Sequence, residues 1–284
     1  MIEFAQLLIY GVVIGSIIAL GAIGVSLTFG ILRFANFSHG DLMTLGAYFA
    51  LTLVWLRLPI FVAMILAAAA TALSAIAIDR TLYRRLRRTA PVILLISSFG
   101  VALILRSLVQ LVWGPDNHVY KAGIQMPFVI GGLRIKPDQL TIVIGAVVLM
   151  VALHLFLRRT KTGKAMRAMA DNVDLARITG IDTERVVLWT WVIGAALAAA
   201  AGTFLAMDTR LNPLMGWRIL LDIFAAAILG GIGSVYGAIV GGLVIGIAEE
   251  MSTLFIAPPY KAAVAFAILV VMLIVRPSGL FAGR

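Results

Sequence analysis

Polar side chains of the kinds that bind ions and small solutes are concentrated in one interruption between two apolar runs, residues 33–42. Asn36, Ser38, His39 and Asp41 fall within six residues of one another there. Two interpretations stay open: Ser38 or Asp41 caps the helix that follows, or the segment is a polar hinge that lines a pathway. A metal site is disfavoured because His39 has no His or Cys partner nearby. All four residues are therefore candidates for a substrate pathway.

A second interruption is built from glycine. Residues 229–237 read Leu-Gly-Gly-Ile-Gly-Ser-Val-Tyr-Gly, and this glycine density predicts a broken helix. Inside a membrane protein, such a break is tolerated only where protein surrounds it or where it borders a water-filled path. The spacing is wrong for a dinucleotide-binding fingerprint. Gly231 and Gly233 therefore join the pathway candidates.

Ionisable residues inside apolar runs are the third group that could do chemistry. Arg106 lies about 16 residues into the run at 90–113, where it either snorkels outward or faces the interior. It is also a pathway candidate. Asp222, Glu249 and Glu250 lie near run ends, and two readings stay open for them: solvated helix-end residues or pathway groups.

Catalytic and nucleotide-binding patterns are missing from the sequence. Gly163-Lys164 is followed by Ala165 and lacks the upstream Gly of a phosphate-binding loop. Neither a Ser-x-x-Lys pattern nor paired His ligands occur, and the absence of cysteine excludes thiol chemistry and disulfides. We predict no catalytic residues, no metal site and no cofactor bound by this chain.

The elements that must position these residues are membrane helices. Hydrophobic residues make up 62% of the chain and charged residues 13%, against roughly 25% charged in soluble domains. Mean hydropathy is +1.07. We predict an all-α integral membrane protein, one domain over residues 1–284, with about eight to nine transmembrane helices, some of them broken. The apolar runs lie at about 5–31, 42–57, 59–80, 90–113, 139–157, 186–207, 218–230, 236–256 and 260–275.

Two of these runs leave the number of crossings open. The run at 218–230 is short enough to be a half-helix or part of a re-entrant pair. Whether it and the run at 236–256 cross completely is not decided by the sequence.

The net charge of +10 is distributed unevenly between the loops. The basic clusters follow the third, fifth and last apolar runs. They are Arg84, Arg85, Arg87 and Arg88, then Arg158, Arg159, Lys161, Lys164, Arg167, Arg177 and Arg185, then Arg276 and Arg284. The other face carries a sparser set, namely Arg57, Lys121, Arg134, Lys136, Arg210, Arg218 and Lys261. The positive-inside bias predicts the N-terminus outside and the C-terminus inside, with an odd number of crossings.

Two loops are long enough to have structure of their own. The outer loop, residues 114–138, is rich in Gly and Pro and predicts turns or a short hairpin. The inner loop, about 158–185, predicts one or two short amphipathic helices that end at Gly180. Within the runs, small-xxx-small steps such as Gly11–Gly15 and Gly242–Gly246 predict close helix packing.

Several segments together resemble one protein family. They are Leu27–Tyr48, with Arg-Phe-Ala-Asn-Phe-Ser-His-Gly-Asp at its centre, then Ala168–Asp182, Ile228–Gly242 and Arg276–Phe281. In this order they are similar to the bacterial branched-chain amino acid ABC transporter permeases of the LivH type. The resemblance implies a multi-pass subunit of the bacterial inner membrane that moves branched-chain or other hydrophobic amino acids by alternating access.

The resemblance also implies partners. They are a second, LivM-like permease, two cytoplasmic ATPases that bind ATP and Mg, and a periplasmic substrate-binding protein; membrane lipid surrounds the chain, and nucleic acid is not a partner. The segment 163–182 is similar to the loop whose helix contacts an ATPase, although it lacks the usual Glu-Ala-Ala triplet. The positions carried over for ATPase coupling are Gly163, Ala168, Asp171, Ala176 and Gly180.

Alternatives to this function stay open at the level of the sequence. A related permease for urea, amides, sugars or nucleosides shares much of the architecture. An ion-coupled secondary transporter would need carboxylates at the midplane beside broken helices. The sequence does not identify the solute or say whether the partner permease is identical or different.

Overall fold

A computed structural model describes residues 2–87, 89–120 and 126–281. Arg88, Lys121 and Arg284, which contribute to the charge bias, lie outside the described residues. The helices are α1 Ile2–Leu32, α2 Ser38–Trp55, α3 Ile60–Ile78, α4 Arg84–Leu86, α5 Pro91–Trp113, α6 Pro137–Arg159, α7 Lys161–Asp171, α8 Val173–Ile178, α9 Thr183–Asp208, α10 Met215–Gly230, α11 Val235–Ser252 and α12 Lys261–Val275. A π-helical turn, Asp79–Tyr83, joins α3 to α4, and a 3₁₀ turn, Pro258–Tyr260, precedes α12.

The predicted all-α membrane fold is confirmed. Seven helices in the described part of the chain are long and apolar enough to cross a bilayer: Ile2–Leu32, Ile60–Leu86, Pro91–Trp113, Pro137–Arg159, Thr183–Asp208, Val235–Ser252 and Pro258–Val275. The protein is therefore a multi-pass membrane protein. Two further helices lie outside this set: α10 has only 16 residues, and α2 begins with the polar residues Ser38, His39 and Asp41.

The core of the bundle is the contact between α1 and α11. A Cβ atom added to Gly15 would lie 3.0 Å from the Leu243 Cα, and one added to Gly242 would lie 2.5 Å from the Ala19 Cα. The two backbones therefore touch along their small residues, as the small-xxx-small steps predict. Helix α9 packs against α1, α2 and α3, whereas α12 is at the periphery.

The single sheet of the described chain is the predicted hairpin. Strand β1, Phe128–Ile130, pairs antiparallel with β2, Leu133–Ile135. Gly131 and Gly132 form the connection with φ of 58° and 87°, the left-handed conformation that two-residue hairpin turns need. Gln6 near the start of α1 accepts a hydrogen bond from the Arg134 backbone N–H and donates one to its carbonyl, both at 2.8 Å. The hairpin is thus held against α1.

The two ends of the bundle differ in their charge and their loops. We call the end that carries α4, α7 and α8 the basic end, and the end that carries β1 and β2 the hairpin end. At the basic end, Arg87 bonds Asp79 at 2.5 Å and Glu184 at 2.9 Å, which ties the π turn to the start of α9. These contacts place the clusters after the third and fifth apolar runs beside each other.

The inner loop, 158–185, contains two helices. Thr160 caps α7 by accepting a 2.9 Å hydrogen bond from the Gly163 N–H, and Asn172 caps α8 by accepting one of 2.9 Å from Leu175. Gly180 has a φ of 84° and follows the end of α8, in agreement with its predicted role as a stop. Met166 and Met169 are buried against the bundle, so α7 is fixed along the basic end.

Candidate functional site

The chain between α1 and α2 turns back into the bundle, so that His39 near the start of α2 lies beside Gly24 of α1. The turn begins at Arg33, whose φ of 57° is left-handed. Asn36 then organises the start of α2, because its Oδ1 accepts hydrogen bonds from the Ser38 N–H at 3.1 Å and the Ser38 hydroxyl at 2.6 Å. The interpretation that Ser38 or Asp41 caps α2 is therefore wrong. The side chain that meets the first helical N–H comes from two residues upstream.

Aromatic and hydroxyl groups from three other helices enclose this turn. The Tyr83 hydroxyl lies 3.1 Å from the Ser38 hydroxyl, and the Tyr83 ring stacks on Trp191 with its centroid 5.3 Å away. Ser98 of α5 accepts a 3.0 Å hydrogen bond from the Phe37 N–H. Tyr83 reaches Ser38 from the π-helical turn, a type of irregularity that often marks functional segments.

His39 packs against α1. A Cβ atom on Gly24 would lie 2.5 Å from the His39 Cε1, so the glycine provides the space for the ring. The His39 side chain is buried, and its Nε2 has no hydrogen-bond partner among the described residues. Its observed contacts support the start of α2 from the α1 side.

Asp41 and Arg106 form a bidentate ion pair inside the bundle. Arg106 Nε bonds Asp41 Oδ1 and a terminal nitrogen bonds Asp41 Oδ2, both at 3.0 Å. The guanidinium also lies 4.8 Å from the ring centroid of Trp217 at the start of α10. Of the two readings for Arg106, the interior one is correct. The pair neutralises both charges and joins α2 to α5, and the cation–π contact extends it to α10.

Helices α2 and α10 meet at their N-terminal ends. A Cβ atom on Gly40 would lie 2.5 Å from the Gly216 carbonyl oxygen, so the two backbones touch. Thr44 accepts a 3.1 Å hydrogen bond from the Gly216 N–H and donates one of 3.2 Å to the Gly40 carbonyl. Both helices run away from this junction, which makes it the place where two short helices begin.

A partly exposed aromatic surface adjoins the junction. Phe37 packs against Phe224 at 5.1 Å and against Phe99 at 6.3 Å between ring centroids, and Phe99 packs edge-on to Trp217 at 5.5 Å. We call these four side chains the aromatic face. It connects the polar junction to the surface of the chain, so a solute with an apolar side chain has a surface to contact there.

The structure brings five of the seven pathway candidates together and separates two. Asn36, Ser38, His39, Asp41 and Arg106 all surround the start of α2, as described above. Gly231 and Gly233 lie at the basic end in the turn between α10 and α11, with φ of 102° and 89°. A Cβ atom on Gly30 would lie 3.4 Å from the Gly233 Cα, and the C-terminal segment covers the turn through a 2.9 Å bond from the Leu280 N–H to the Leu229 carbonyl. Protein covers this break only in part, because Gly231 is buried whereas Ile232 is 43% exposed.

The five coupling candidates divide by exposure. Gly163 and Ala176 are buried against the bundle, and Ala168 is half-buried. Asp171 and Gly180 are exposed. Two large apolar side chains of α8 also point away from the bundle, since Leu175 is 55% exposed and Ile178 is 80% exposed. The exposed residues Asp171 and Gly180 can therefore contact another protein directly, whereas the buried Gly163 and Ala176 hold α7 and α8 against the bundle.

Reasoning from sequence missed several residues of the site. Trp217 contacts Arg106, Tyr83 contacts Ser38, and Thr44 bonds the adjoining Gly40. Thr44 lies inside an apolar run, Trp217 at the edge of one and Tyr83 in the basic segment after the third run, and no local pattern sets them apart. Gly40 and Gly216 had one usable signal, since each adjoins a helix start in a chain where glycine marks close approach.

Comparisons with known proteins agree with this architecture. Residues 7–273 match the family described as branched-chain amino acid transport system permease component. The high-affinity branched-chain amino acid transport permease LivH of Escherichia coli K12 is 36% identical over 98% of this chain and 95% of its own length. The corresponding BraD of Pseudomonas aeruginosa is 34% identical over the same shares of the two chains.

A solved structure shows the same fold at much lower identity. PsaBC from Streptococcus pneumoniae in complex with Fab superposes with a TM-score of 0.54 at 14% identity, over 98% of this chain and 93% of that one. The LivH and BraD relatives are transport subunits rather than catalytic ones. Because the family match and these two relatives extend across nearly the whole molecule, the chain belongs to the family of branched-chain amino acid transport system permease components.

Proposed function

We propose that this chain is one of two permease subunits through which an ATP-driven importer carries branched-chain amino acids across the bacterial inner membrane. The observation that carries the proposal is the relationship to LivH and BraD over 98% of the chain. The partners in this proposal are a second permease, two ATPases that hold ATP and Mg, and a periplasmic binding protein. The permease itself holds no cofactor.

The solute path in this proposal passes the junction of α2 and α10 and the aromatic face. An apolar amino acid side chain gains from contact with Phe37, Phe99 and Trp217, whereas its charged groups need polar partners. Asp41 and Arg106 supply fixed charges of both signs at the same place. Asn36, Ser38 and His39 hold the start of α2 in position beside them.

Movement is transmitted to this junction from the basic end. Arg33 donates a 2.5 Å hydrogen bond to the Ala170 carbonyl of α7, and the turn that contains Arg33 leads within three residues to Asn36. Gly30 lies close to Gly233 and to Ala170, since a Cβ atom added to it would lie 3.4 Å from the Gly233 Cα and 4.0 Å from the Ala170 Cβ. A displacement of α7 by an ATPase would therefore reach α1, the turn and the start of α2, which is the rigid-body route that alternating access requires.

The surface proposed to receive the ATPase consists of Asp171, Leu175, Ile178 and Gly180, which we call the coupling surface. Large exposed apolar groups outside the apolar runs are typical of interaction sites. Asp171 is the last residue of α7, and Leu175 and Ile178 lie on the short helix that follows it, so contact with this surface moves α7 directly. Gly163 and Ala176 contribute by holding the two helices against the bundle.

The proposal is tested by reconstitution of the chain with its partners in proteoliposomes. With ATP on the ATPase side and the binding protein on the other, we expect concentrative uptake of leucine, isoleucine or valine, and none of urea or ribose. Uptake should persist in the presence of a protonophore. Accumulation by the chain alone, or loss of uptake with a protonophore while ATP is present, would contradict it.

The coupling surface is tested in the same vesicles with Ile178→Glu. The new carboxylate would have to be desolvated in an apolar contact without a partner, so we expect uptake to fall by about tenfold or more. Val129→Glu is the matched control, because Val129 is a similarly exposed apolar residue, 66%, at the hairpin end. Equal uptake by both variants would show that Ile178 does not contribute to the proposed contact with the ATPase.

A further inference from the structure

The hairpin end contains a cavity of about 750 Å³ between α1, α9 and α10. Its volume falls within the usual range of small-molecule sites, about 300 to 1,000 Å³. It lies on a different side of α10 from Trp217 and Phe224, so it is separate from the aromatic face. The positive-inside bias assigns this end to the outside, where an imported solute arrives.

Charges of both signs line this cavity. Arg210 at the end of α9 and Arg218 of α10 are exposed, and neither forms an ion pair with another residue in the described part of the chain. Asp222 lies one turn after Arg218 and is only 8% exposed. A guanidinium group suits a carboxylate, and a carboxyl group suits an ammonium.

Asp222 is a buried acid with an unsatisfied hydrogen-bond acceptor. It lies beside the carboxyl group of Glu249 of α11, which is 3% exposed. Asp222 Oδ1 has no hydrogen-bond partner among the described residues, and neither has Glu249 Oε1. A buried carboxyl oxygen without a partner is unfavourable, so a ligand that donates a hydrogen bond there gains more than it would at the surface.

Apolar side chains complete the lining. Leu205, Met215 and Ile219 are buried at the cavity wall, and Ile14 contributes from α1. The cavity therefore combines two free cations, a buried acceptor and an apolar wall. A zwitterion with a branched apolar side chain has one group for each of these features.

We infer that this cavity is a receiving site for zwitterionic amino acids, with Asp222 as the acceptor for the α-ammonium group and Arg218, aided by Arg210, as the donor to the α-carboxylate. The inference rests on the proposed function for its substrate class. It adds a site within one permease subunit, ahead of the junction of α2 and α10 on the inward route.

The absence of cysteine from this chain permits a direct test of occupancy. Thr209→Cys places one thiol at an exposed position of the cavity lining, and Glu3→Cys places a control thiol at the same end, outside it. The assembled transporter in proteoliposomes, without ATP or binding protein, is labelled with a hydrophilic methanethiosulfonate. Label on this chain is then quantified by mass spectrometry.

Leucine at ten times its Kd should slow labelling at position 209 by about tenfold, since about one site in eleven stays empty. Labelling at position 3 should not change. Two analogues separate the charged groups: 4-methylpentanoate lacks the ammonium, and 3-methylbutylamine lacks the carboxylate. Both should protect at concentrations at least about tenfold higher than leucine, because each loses one charge-assisted hydrogen bond.

Variants assign each charge to its residue. Asp222→Asn should abolish the preference for leucine over 4-methylpentanoate, and Arg218→Gln should abolish the preference over 3-methylbutylamine. A role of Asp222 only in holding α10 to α11 would lower thermal stability and leave both preferences unchanged, which would overturn the inference. Arg218 is exposed, so its variant keeps the test informative if Asp222→Asn fails to fold.

The outcomes also separate this inference from the proposed function. Absence of protection by leucine up to its solubility limit, in vesicles that show ATP-driven leucine uptake, overturns the receiving site and leaves the proposed function intact. Absence of leucine uptake by the wild-type transporter counts against the proposed function itself. Protection by leucine with the two preferences assigned as above supports the site.

Discussion

At the scale of single residues, the Asp41–Arg106 pair decides how the polar turn is built into an apolar bundle. Neither charge is tolerated alone in such surroundings, whereas a bidentate pair satisfies both groups. The Asp41 side chain is 1% exposed, and the two partners are 65 positions apart in the chain. The sequence marked both residues as unusual, but their partnership follows only from the packing of α2 against α5.

Asp41→Asn should lower the free energy of unfolding by about 3 to 5 kcal/mol, because it leaves the Arg106 guanidinium buried without its counter-charge. The check is thermal unfolding of the purified subunit in detergent. The double variant Asp41→Asn with Arg106→Gln should recover part of the loss, since it removes both charges.

The exposed Asp116→Asn serves as the control for this prediction and should change stability by less than about 0.5 kcal/mol. Additive losses in the double variant would show that the two charges do not depend on each other.

At the scale of elements, glycine governs where helices meet. Contacts of α1 with α11 and of α2 with α10 both bring backbone onto backbone, since in lipid close packing replaces the hydrophobic drive between helices. The sequence predicted close packing at Gly11–Gly15 and Gly242–Gly246 from their spacing, but not that α1 and α11 are partners. It did not predict the contact of α2 with α10, because Gly40 and Gly216 belong to no small-xxx-small step that was recognised.

Gly216→Ala should be strongly destabilising, because the added methyl group overlaps the Gly40 carbonyl oxygen and the Thr44 hydroxyl. We expect a loss of about 1 to 3 kcal/mol, typical of overpacking, measured as the shift of the unfolding midpoint in detergent.

Gly100→Ala is the matched control for this prediction, since a Cβ atom at Gly100 meets nothing within 4 Å. Its helical position should make it neutral or stabilising by up to about 1 kcal/mol. Equal losses for the two glycines would mean that α2 and α10 do not touch as described.

At the scale of the whole molecule, the two ends of the bundle have different tasks in the proposed function. The basic end presents the coupling surface, and the hairpin end presents the cavity lined by Arg210, Arg218 and Asp222. The positive-inside bias predicts that the basic end faces the cytoplasm. Only this orientation puts the ATPases beside α7 and α8 and the arriving amino acid beside the cavity.

Single cysteines test the orientation in intact cells. Ile178→Cys at the basic end should resist a membrane-impermeant maleimide until the membrane is permeabilised, whereas Val129→Cys at the hairpin should react at once. Both positions are well exposed, so accessibility is limited by the membrane rather than by packing. The reverse pattern would invert the topology and with it the proposed direction of coupling.

The sequence by itself determined that the protein lies in a lipid bilayer. It also determined the fold class, the family, the hairpin in the outer loop and the helices of the inner loop. These follow from apolar runs, local turn chemistry and segments that stay contiguous, all of which are readable along the chain. It also located the polar turn at 33–42, but it misassigned the cap of α2, because Asn36 lies outside the helix it serves.

The tertiary structure decided which distant residues share a site. It paired Asp41 with Arg106, set Tyr83 on Ser38, placed Gly231 and Gly233 in the turn between α10 and α11 rather than beside Asp41, and buried Asp222 beside Glu249. The physical reason is that helix rotation and crossing are set by packing over the whole bundle. Lipid is as apolar as the helix surfaces, so a linear pattern of apolar residues does not reveal which face of a helix turns inward.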